Sequence, residues 1–596
     1  MLNFVVFDSD GVDVAHFPPR HAFLVGPEEV PLQGVIDLTP RLVRCSKQGQ
    51  QAAGLAVQLI VPRPNLPEAL AAQLPTPTGE SMGLLTVHTC LLPERDQPYL
   101  LMIELARRQI MLLLNKLEDW QLTDLPTEHP VMQQFEMARA SFCDALVAQR
   151  SGGDGGGGAG GGGDNGFSPA ANLLAAQALA LSMEAGEELA LIQAERQSRA
   201  RASGDGYRIA RAALARLTPE APAPNAPVVV PGSGQAVLPH LPLIGCAVSP
   251  TPMTDAQTRA VHASCDFVTM PMRWIDLEPV EGKYNFTSTD KWIEWAVRTA
   301  KLPIVGGPVI DFRPRCAPEW LFIWENDYET LRDLVFEHAQ AVVTRYRKTV
   351  SRWTVASGLH VNTNFKISFE QIMDLTRICV LLIKKLHPSA KVQLEVTQPW
   401  GEYHTTNKRS IPPYLYAEAA LTAGLPIDAI GLRVQMGHAE PGTSTRDMLS
   451  LSAMLDKFGA LEKPLAVSAI GAPSSPITPR AYQPRAGAEP EEAYEPGYWR
   501  QPWSEQAQVQ WMTQALAIAL SKPFVHSVCW HELADSNAAF PPEMPGGGLL
   551  KSDGTPKPAL LRLAQIRAAL REGKSPLSLL QRNEPAAPVA PRPAPV

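Results

Sequence analysis

The sequence predicts an α/β protein whose larger part, residues 239–572, is a (β/α)8 TIM barrel, preceded by a small β-sandwich-like domain and a helical segment. Three observations support this prediction. Eight short apolar segments recur after residue 239, and each is followed by a stretch that can form a helix. A Pro- and Ala-rich linker, residues 218–238, precedes them. Earlier in the chain, near residue 95, the hydrophobic pattern changes from strand-like to helical.

The eight predicted barrel strands are apolar, as expected of parallel strands covered on both faces. Their sequences are PLIGCAVS, CDFVTMPM, PIVGGPVI, SRWTVAS, KVQLEVTQ, AIGLRVQM, PLAVSAIG and VHSVCW. The segment PALLRLAQIRAAL supplies the last helix. A long insert, Ser474–Trp503, follows the seventh strand. It is expected at the mouth of the barrel, where the loops of this fold carry function.

Residues 1–95 are predicted to form short strands of a β-sandwich or jelly roll. The strand-like segments are LNFVVFD, AFLVG, GVIDLTPRLVRC, GLAVQLIVP and GLLTVHTCLLP. Pro, Gly and charged residues separate them, as is typical of turns between strands.

Residues 96–217 are predicted to be helical. Apolar residues recur at helical spacing in YLLMIELARRQIMLLLNKLEDW, and further helices are expected at 130–148, 170–202 and 207–217. Within this region, residues 151–166 contain 11 glycines in 16 positions, which predicts a disordered insert. The Pro- and Ala-rich tail, residues 573–596, is also predicted to be disordered.

Composition argues against several classes of partner. The net charge is −7, and no dominant basic surface is implied, so we expect no nucleic-acid partner. No apolar run reaches the length of a membrane span, and we expect no membrane partner. The segment Met1–Val14 has no basic region and carries acidic residues, so it does not resemble a signal peptide. We therefore expect a cytoplasmic protein. The oligomeric state stays open.

The cysteines indicate neither a metal site nor a disulfide framework. Eight of them lie between Cys45 and Cys529, without a CxxC pair or other metal-like spacing. We interpret them as small, mostly buried apolar residues. No metal and no cofactor is predicted.

The barrel segment resembles the xylanases of glycoside hydrolase family 10. The most specific stretch is RWIDLEPVEGKYNFTSTDKWIEWA, residues 273–296. The segments IGCAVS, RYRKTVSRWTV, IDAIGL and GGGLLKSDGTPKPALLRL follow the family in the same order. The resemblance implies a carbohydrate-related protein and hydrolysis of O-glycosyl bonds in a β-1,4-xylan type of substrate. An oligo- or polysaccharide is the partner that it implies.

Both glutamates of the family chemistry are replaced. Retaining enzymes need a nucleophile and an acid/base, with carboxyl groups roughly 5–5.5 Å apart. The acid/base position at the end of strand four is Gly358, and the nucleophile position on strand seven is Ala469. Neither side chain can move a proton or form a covalent intermediate.

Other family contacts are also altered. In the strand-two segment, Met272 and Trp274 are kept and Arg273 replaces a lysine. The strand-three segment, residues 306–312, lacks both family histidines, and the family's Gln and His of strand six are replaced in residues 431–435. Sugar recognition at the cleavage site is therefore not expected to follow the family.

Relocated catalytic acids are one hypothesis. In KVQLEVTQ, alternation turns Glu395 into the barrel if Val392, Leu394 and Val396 face the helices. Glu532 has the same strand parity as Trp530, which we matched to a sugar-covering tryptophan of the family. A Glu395/Glu532 pair would be the family arrangement rotated by one strand. In the alternative, Glu395 is paired with a barrel arginine and Glu532 is solvated.

Further substrate-binding candidates are polar or aromatic residues at the ends of predicted strands or in the loops that follow. They are Trp274, Arg273, Asp311, Trp400, Gln435, His438, Trp530 and His531. Arg313 is expected in the same cleft. Trp400, Trp499 and Trp503 fall in loops at the predicted mouth, where exposed rings can stack on sugars. The alternative is that they anchor these loops on the barrel.

Three functions remain open from the sequence. The first is a family-derived glycosidase with relocated acids. The second is a catalytically inactive barrel that binds glycans. The third is a scaffold for protein assembly. A close carboxylate pair in an open cleft would favour the first, an open aromatic cleft the second, and a mouth sealed by the insert of residues 474–503 the third.

Overall fold

A computed structural model defines the fold over most of the chain. It describes residues 1–7, 22–39, 42–47, 49–71, 80–153, 167–217, 223, 225–230, 234–248, 253–438, 442–477, 480–481, 493–535 and 544–580.

Eight parallel strands form a closed barrel, as the sequence predicts. They are Leu243–Ala247, Phe267–Met270, Ile304–Gly306, Arg352–Thr354, Lys391–Thr397, Ala429–Gln435, Leu465–Gly471 and Val525–Trp530. The first strand pairs in parallel with the eighth, which closes the barrel without a free edge. Each strand lies within the segment predicted for it.

A helix follows each barrel strand. The helices are Asp255–Ser264, Thr287–Glu294, Tyr328–Tyr346, Phe369–Leu386, Pro413–Thr422, Met448–Gly459, Glu505–Ser521 and Pro558–Arg571. Several starts are fixed by local capping chemistry. The side chains of Thr254 and Ser368 accept from the backbone three residues on, and Gln257 and Gln371 complete capping boxes. Shorter helical turns are Trp274–Leu277, Trp295–Ala300, Glu319–Trp324, Glu402–Thr405 and Pro576–Leu579.

The N-terminal part contains two sheets. One has the order Gly34–Thr39, Leu42–Lys47, Leu2–Val5 and Tyr99–Leu100. The other has the order Tyr498–Trp499, Ser81–His88, Gly54–Pro62, Phe23–Val25 and Pro31–Leu32. Short helical turns lie at Pro27–Glu29 and Glu68–Ala71. Apolar residues of both sheets share one core with residues of two long helices. The N-terminal part is therefore a mixture of sheets and helices, in which the strands before residue 95 share their core with helices that follow them.

Four helices connect the sheets to the barrel. They are Leu101–Asp119, Pro130–Gly153, Pro169–Ser203 and Asp205–Leu217, in agreement with the predicted helical segments. The helix Pro169–Ser203 is buried on most of its surface and packs against barrel helices. At its end, Arg201 donates to four backbone carbonyl groups, those of His240, Leu520, Lys522 and Val525. This arginine ties the helical region to the base of the barrel.

The sequence predicted three segments without regular structure, and the structure gives a different result for each of them. Residues 154–166 of the Gly-rich insert lie outside the described residues. Within the predicted linker, Val228–Val230 pairs with Gln235–Val237 as an antiparallel hairpin. Of the predicted tail, residues 581–596 lie outside the described part, whereas Pro576–Leu579 forms a turn that packs on the barrel. That part of the disorder prediction was wrong, because apolar residues such as Leu577 contact the barrel core.

The insert after the seventh barrel strand joins the barrel to the N-terminal sheets. Tyr498 and Trp499 pair with Leu84 and Gly83 and extend the five-stranded sheet. The close approach needs glycine at position 83, because a Cβ there would lie 2.3 Å from the carbonyl oxygen of Tyr498. Next to it, Arg500 forms buried ion pairs with Glu184 (2.8 Å) and Glu187 of the long helix. No helix in the described part of the chain combines the length and apolarity that a membrane span requires.

Candidate functional site

Glu395 points into the barrel, as the alternation of its strand predicts. The side chains of Val392, Leu394 and Val396 are fully buried in the main barrel core. Gln393 and Glu395 line a small cavity on the inside of the barrel. The prediction of an inward carboxylate at this position is therefore confirmed.

The carboxylate of Glu395 is held by positive and hydrogen-bonding groups. Ser357 Oγ donates to its Oε1 at 2.6 Å, and Arg433 Nη1 lies 3.5 Å from the same oxygen. Burial raises the pKa of Glu395, but the charges of Arg433 and Arg313 and the bond from Ser357 outweigh burial, so this pKa lies below its ordinary value. Glu395 is therefore ionised at neutral pH and unsuited to be a general acid.

The cavity beside Glu395 is small. Its volume is about 20 Å³, which is room for about one water molecule. Its walls include Arg313, Arg433, Ser468 and His531, together with Gln393 and Thr354 deeper in the barrel. A sugar ring does not fit into this space without displacement of the side chains around it.

Glu532 does not share this cavity. Among the described residues that line it, Glu395 is the one carboxylate. Glu532 is buried, with Oε1 4.0 Å from Nε2 of His531, and that nitrogen lies 3.4 Å from Arg433 Nη2. An arginine and a histidine therefore link the two glutamates. The alternative interpretation expected Glu395 to be paired with a barrel arginine, and Arg433 is that partner. It also expected Glu532 to be exposed to solvent, which was wrong, because Glu532 is buried.

Gly358 and Ala469, the positions matched from the sequence to the family glutamates, lie in tightly packed surroundings. Gly358 has a φ of +74°, and a Cβ there would lie 2.7 Å from the backbone nitrogen of Arg313. Ala469 is fully buried on strand seven, where the pairing with both neighbouring strands is irregular. Its neighbour Ser468 lines the cavity. At Gly358 the backbone conformation and the contact with Arg313 therefore both favour glycine.

Asp311 is paired with its own neighbour on the chain. Its carboxylate is fully buried and accepts from Arg313 Nε at 2.8 Å, from Nη2 at 2.5 Å and from the backbone nitrogen at 3.1 Å. This bidentate pair is the strong geometry for arginine and carboxylate. Asp311 therefore holds Arg313 beside the cavity, where the arginine also lowers the pKa of Glu395.

The strand-two candidates are integrated into the barrel wall. Trp274 is 1% exposed, stacks on His338 at 4.2 Å and donates from Nε1 to Glu278 at 2.8 Å. Arg273 is buried and pairs with Asp276 at 2.6 Å. In this structure neither side chain is accessible to a substrate.

Trp530 is packed in the core instead of facing the mouth. Its ring is fully buried, lies edge-on to Trp511 of the following helical layer at 6.4 Å, and donates from Nε1 to the carbonyl of Gly547 at 3.0 Å. Ser527 and Cys529 of strand eight line the cavity, together with His531 directly after the strand. The orientation predicted for Trp530, and with it that of Glu532, was wrong, because alternation defines two faces without saying which faces inward.

The loop tryptophans anchor loops. Trp499 and Trp503 are each 2% exposed, and their Nε1 groups donate to Glu187 and to the carbonyl of Gly497. Trp400 is half-buried under the guanidinium of Arg446 at 4.9 Å. The anchoring alternative therefore describes Trp499 and Trp503, and a stacking role for Trp400 stays a prediction.

The last candidates are at the ends of strands six and eight. Gln435, His438 and His531 are all buried. The backbone carbonyl of His438 accepts from Thr443 at 2.6 Å, which closes its loop. Gln435 Nε2 has no hydrogen-bond partner among the described residues. Of these three, His531 lines the cavity beside Glu395.

Three residues that contact Glu395 or line its cavity were not among the site residues expected from the sequence: Arg433, Ser357 and Ser468. They stand in the segments matched to the family's strands six, four and seven. On strand six, Arg433 and Gln435 are two residues apart and therefore face the same side of the strand. Because Gln435 was a substrate-binding candidate, this spacing indicated that Arg433 also points into the barrel. Within the described residues, no cluster of three His, Cys, Asp or Glu side chains is placed to hold a metal ion.

Comparison with known proteins gives one family. The model of glycosyl hydrolase family 10 matches residues 235–565. Among similar solved structures, xylanase 10B from Thermotoga petrophila RKU-1 in complex with xylobiose is 18% identical and covers 55% of this chain and 94% of that chain, with a TM-score of 0.40. Xylanase B from Clostridium stercorarium F9 is 16% identical and covers 54% and 96%, also with a TM-score of 0.40.

Proposed function

Because this chain belongs to glycosyl hydrolase family 10, we propose that it is a member that keeps the barrel, does not hydrolyse glycosidic bonds, and acts by binding carbohydrate. The observation that carries the proposal is the interior cavity. Glu395 is the one carboxylate among its described lining residues, and the cavity holds about 20 Å³. Two carboxyl groups and a sugar ring between them are the minimum for the family reaction.

The electrostatics support the same conclusion. Arg433 at 3.5 Å and the bond from Ser357 satisfy Glu395 in its ionised form. Both contacts are on Oε1, and the ester that forms when a carboxylate attacks carries no charge, so the ion pair with Arg433 would weaken during the attack and raise the barrier. A glycosidase also needs a protonated acid on the other side of the bond. Gly358, at the family acid/base position, leaves no room for one.

Carbohydrate is the ligand class that family membership supports. We propose β-1,4-linked xylo-oligosaccharides, or glycans of similar geometry, as ligands that are bound and released unchanged. The buried positions of Trp274 and Trp530 argue for a binding site other than the one expected from the sequence.

The test compares hydrolysis and binding with the same full-length preparation. Aryl β-xyloside, aryl β-cellobioside and xylo-oligosaccharides are incubated with wild type, Glu395→Gln and Glu532→Gln. The matched control is Glu294→Gln on the exposed face of a barrel helix. We expect no product above a blank without protein for any of the four proteins. Turnover that disappears in Glu395→Gln or Glu532→Gln but persists in Glu294→Gln would refute the proposal.

One observation favours a second function, that of a protein scaffold. The insert that was expected to present tryptophans to a sugar instead extends the N-terminal sheet through Tyr498 and Trp499 and buries Trp503. When the loop at the mouth of the barrel pairs with an N-terminal sheet, the barrel can hold that sheet in place for contact with another protein. If neutral oligosaccharides do not bind at millimolar concentration, the scaffold function becomes the better account.

A further inference from the structure

A large cleft lies outside the barrel, between the N-terminal sheets and the helices. It is bounded by the turn Pro27–Glu29, the end of the strand Ser81–His88, the helix Leu101–Asp119 and Ala453 of a barrel helix. Its volume is about 720 Å³, within the range of roughly 300–1,000 Å³ for small-molecule sites. The cavity inside the barrel is far smaller, at about 20 Å³.

The cleft has an apolar floor. Met111 and Leu91 are 47% and 41% exposed, and Leu92, Leu112 and Val25 adjoin them. Large apolar side chains that line a concave surface favour a ligand that removes them from water. The floor therefore fits a molecule with C–H surface on at least one side.

The cleft is lined by equal numbers of cationic and acidic side chains. Arg107, Arg108 and Lys116 line the cleft together with three acidic residues, Glu28, Glu29 and Asp119. The cations are already paired. Arg108 binds Glu29, and Lys116 lies 2.9 Å from Asp119 and 3.6 Å from Asp456. Arg107 pairs with Glu104 at 3.0 Å.

At neutral pH, the ionisation states of Glu29 and His88 keep the positive and negative charges of the cleft equal in number. Burial raises the pKa of Glu29, but the charges of His88, Arg108 and Lys457 outweigh burial and lower the pKa to about 2. Burial and the charge of Arg108 lower the pKa of His88 to about 4, so its ring is neutral. An anionic ligand must therefore compete with an existing ion pair for its partner.

From this arrangement we propose that the cleft binds an uncharged, hydroxyl-rich ligand, a short oligosaccharide. Ligand hydroxyl groups can donate to the carboxylates and accept from the guanidinium and ammonium groups without separating the pairs. The C–H faces of the sugar rings cover Met111 and Leu91. The inference rests on the carbohydrate-binding function proposed above and assigns it a location outside the barrel.

The chain offers a matched pair of variants to test this location. Met111 and Leu114 are on the same helix and are exposed to 47% and 44%, but Met111 lines the cleft and Leu114 does not. Met111→Trp fills the cleft, whereas Leu114→Trp places the same bulk on the adjoining surface. Both side chains are nearly half exposed, so both variants are expected to fold, and their melting temperatures are measured first.

The experiment is titration calorimetry of the full chain with xylotetraose and cellotetraose as neutral probes, and with trigalacturonate and decanoate as anionic probes. We expect a neutral probe to bind, Met111→Trp to weaken it by at least about tenfold, and Leu114→Trp to leave it unchanged. We also expect the anionic probes to bind at least about tenfold more weakly than the neutral one.

The outcomes separate the two proposals. Binding that is equal in Met111→Trp and wild type overturns the cleft and leaves a carbohydrate function elsewhere in the chain. Tighter binding of an anionic probe overturns the assigned ligand class. Binding of neither neutral probe overturns both the cleft and the carbohydrate function. Hydrolysis of a probe overturns the non-hydrolytic function alone, because the effect of Met111→Trp on binding is read separately.

Discussion

The guanidinium of Arg433 lies 3.5 Å from the carboxylate of Glu395 inside the barrel, and both side chains are at most 5% exposed. The two residues come from neighbouring strands, which pair in parallel with Thr397 opposite Arg433. The sequence left two interpretations of Glu395 open, a catalytic acid and a carboxylate paired with a barrel arginine, and this ion pair matches the second. It accounts for the ionised state of Glu395 and leads to the first prediction.

Loss of Arg433 should destabilise the barrel more than loss of both partners. Arg433→Met leaves the charge of Glu395 buried with fewer partners, and breaking such a pair typically lowers the free energy of unfolding by about 3–5 kcal/mol. The double variant Arg433→Met/Glu395→Gln should recover part of that loss. Urea unfolding of both single variants and the double variant measures the coupling. Equal losses in Arg433→Met and the double variant would contradict a direct interaction.

Gly358 should not tolerate even a methyl group. Gly358→Ala combines a left-handed backbone with a Cβ 2.7 Å from the nitrogen of Arg313. Gly424 is the matched control, since its φ is +71° but a Cβ there meets nothing within 4 Å. Gly424→Ala should lower the unfolding free energy by about 1 kcal/mol, the cost of the left-handed conformation alone, and Gly358→Ala by clearly more. Equal losses in thermal or urea unfolding would mean that Arg313 moves away freely.

Arg201 should stabilise the contact between the long helix and the barrel. Arg201→Met removes the donor to four carbonyl groups, and hydrogen bonds with a charged partner contribute about 1.5–3 kcal/mol each. Because these effects are not additive, we expect a total loss of about 3 kcal/mol or more. Arg199→Met, at an arginine whose side chain is 78% exposed, should have little effect. Hydrogen exchange of Val525 and its neighbours should increase in the Arg201 variant only.

Glu188 should make stability depend on pH. Burial and the nearby Glu184 raise its pKa to about 8. The folded state therefore binds a proton that the unfolded state has released, and this contribution to stability is lost as pH rises from about 4.5 to 8. Glu188→Gln should thus raise the melting temperature more at pH 8 than at pH 5. The exposed residue Glu118 serves as the control, since Glu118→Gln should shift the melting temperature equally at both pH values.

Much of the fold was predictable because it depends on local chemistry. The hydrophobic pattern marked every barrel strand, and capping residues such as Thr254 and Ser368 fix helix starts through contacts only three residues away. The inward position of Glu395 followed from its three apolar neighbours. The candidate site was less predictable, because strand parity alone could not say whether Trp530 or Cys529 faces the barrel interior.

The sequence by itself therefore determined the order of strands and helices and the two faces of each strand. The tertiary structure decided which side chains meet. It brought Arg433 to Glu395, packed Trp530 against Trp511 and paired Trp499 with Gly83. Local periodicity depends on neighbours a few residues apart. The charge state of Glu395 and the completion of the N-terminal sheet depend on residues far along the chain, which only the closed barrel brings within contact distance.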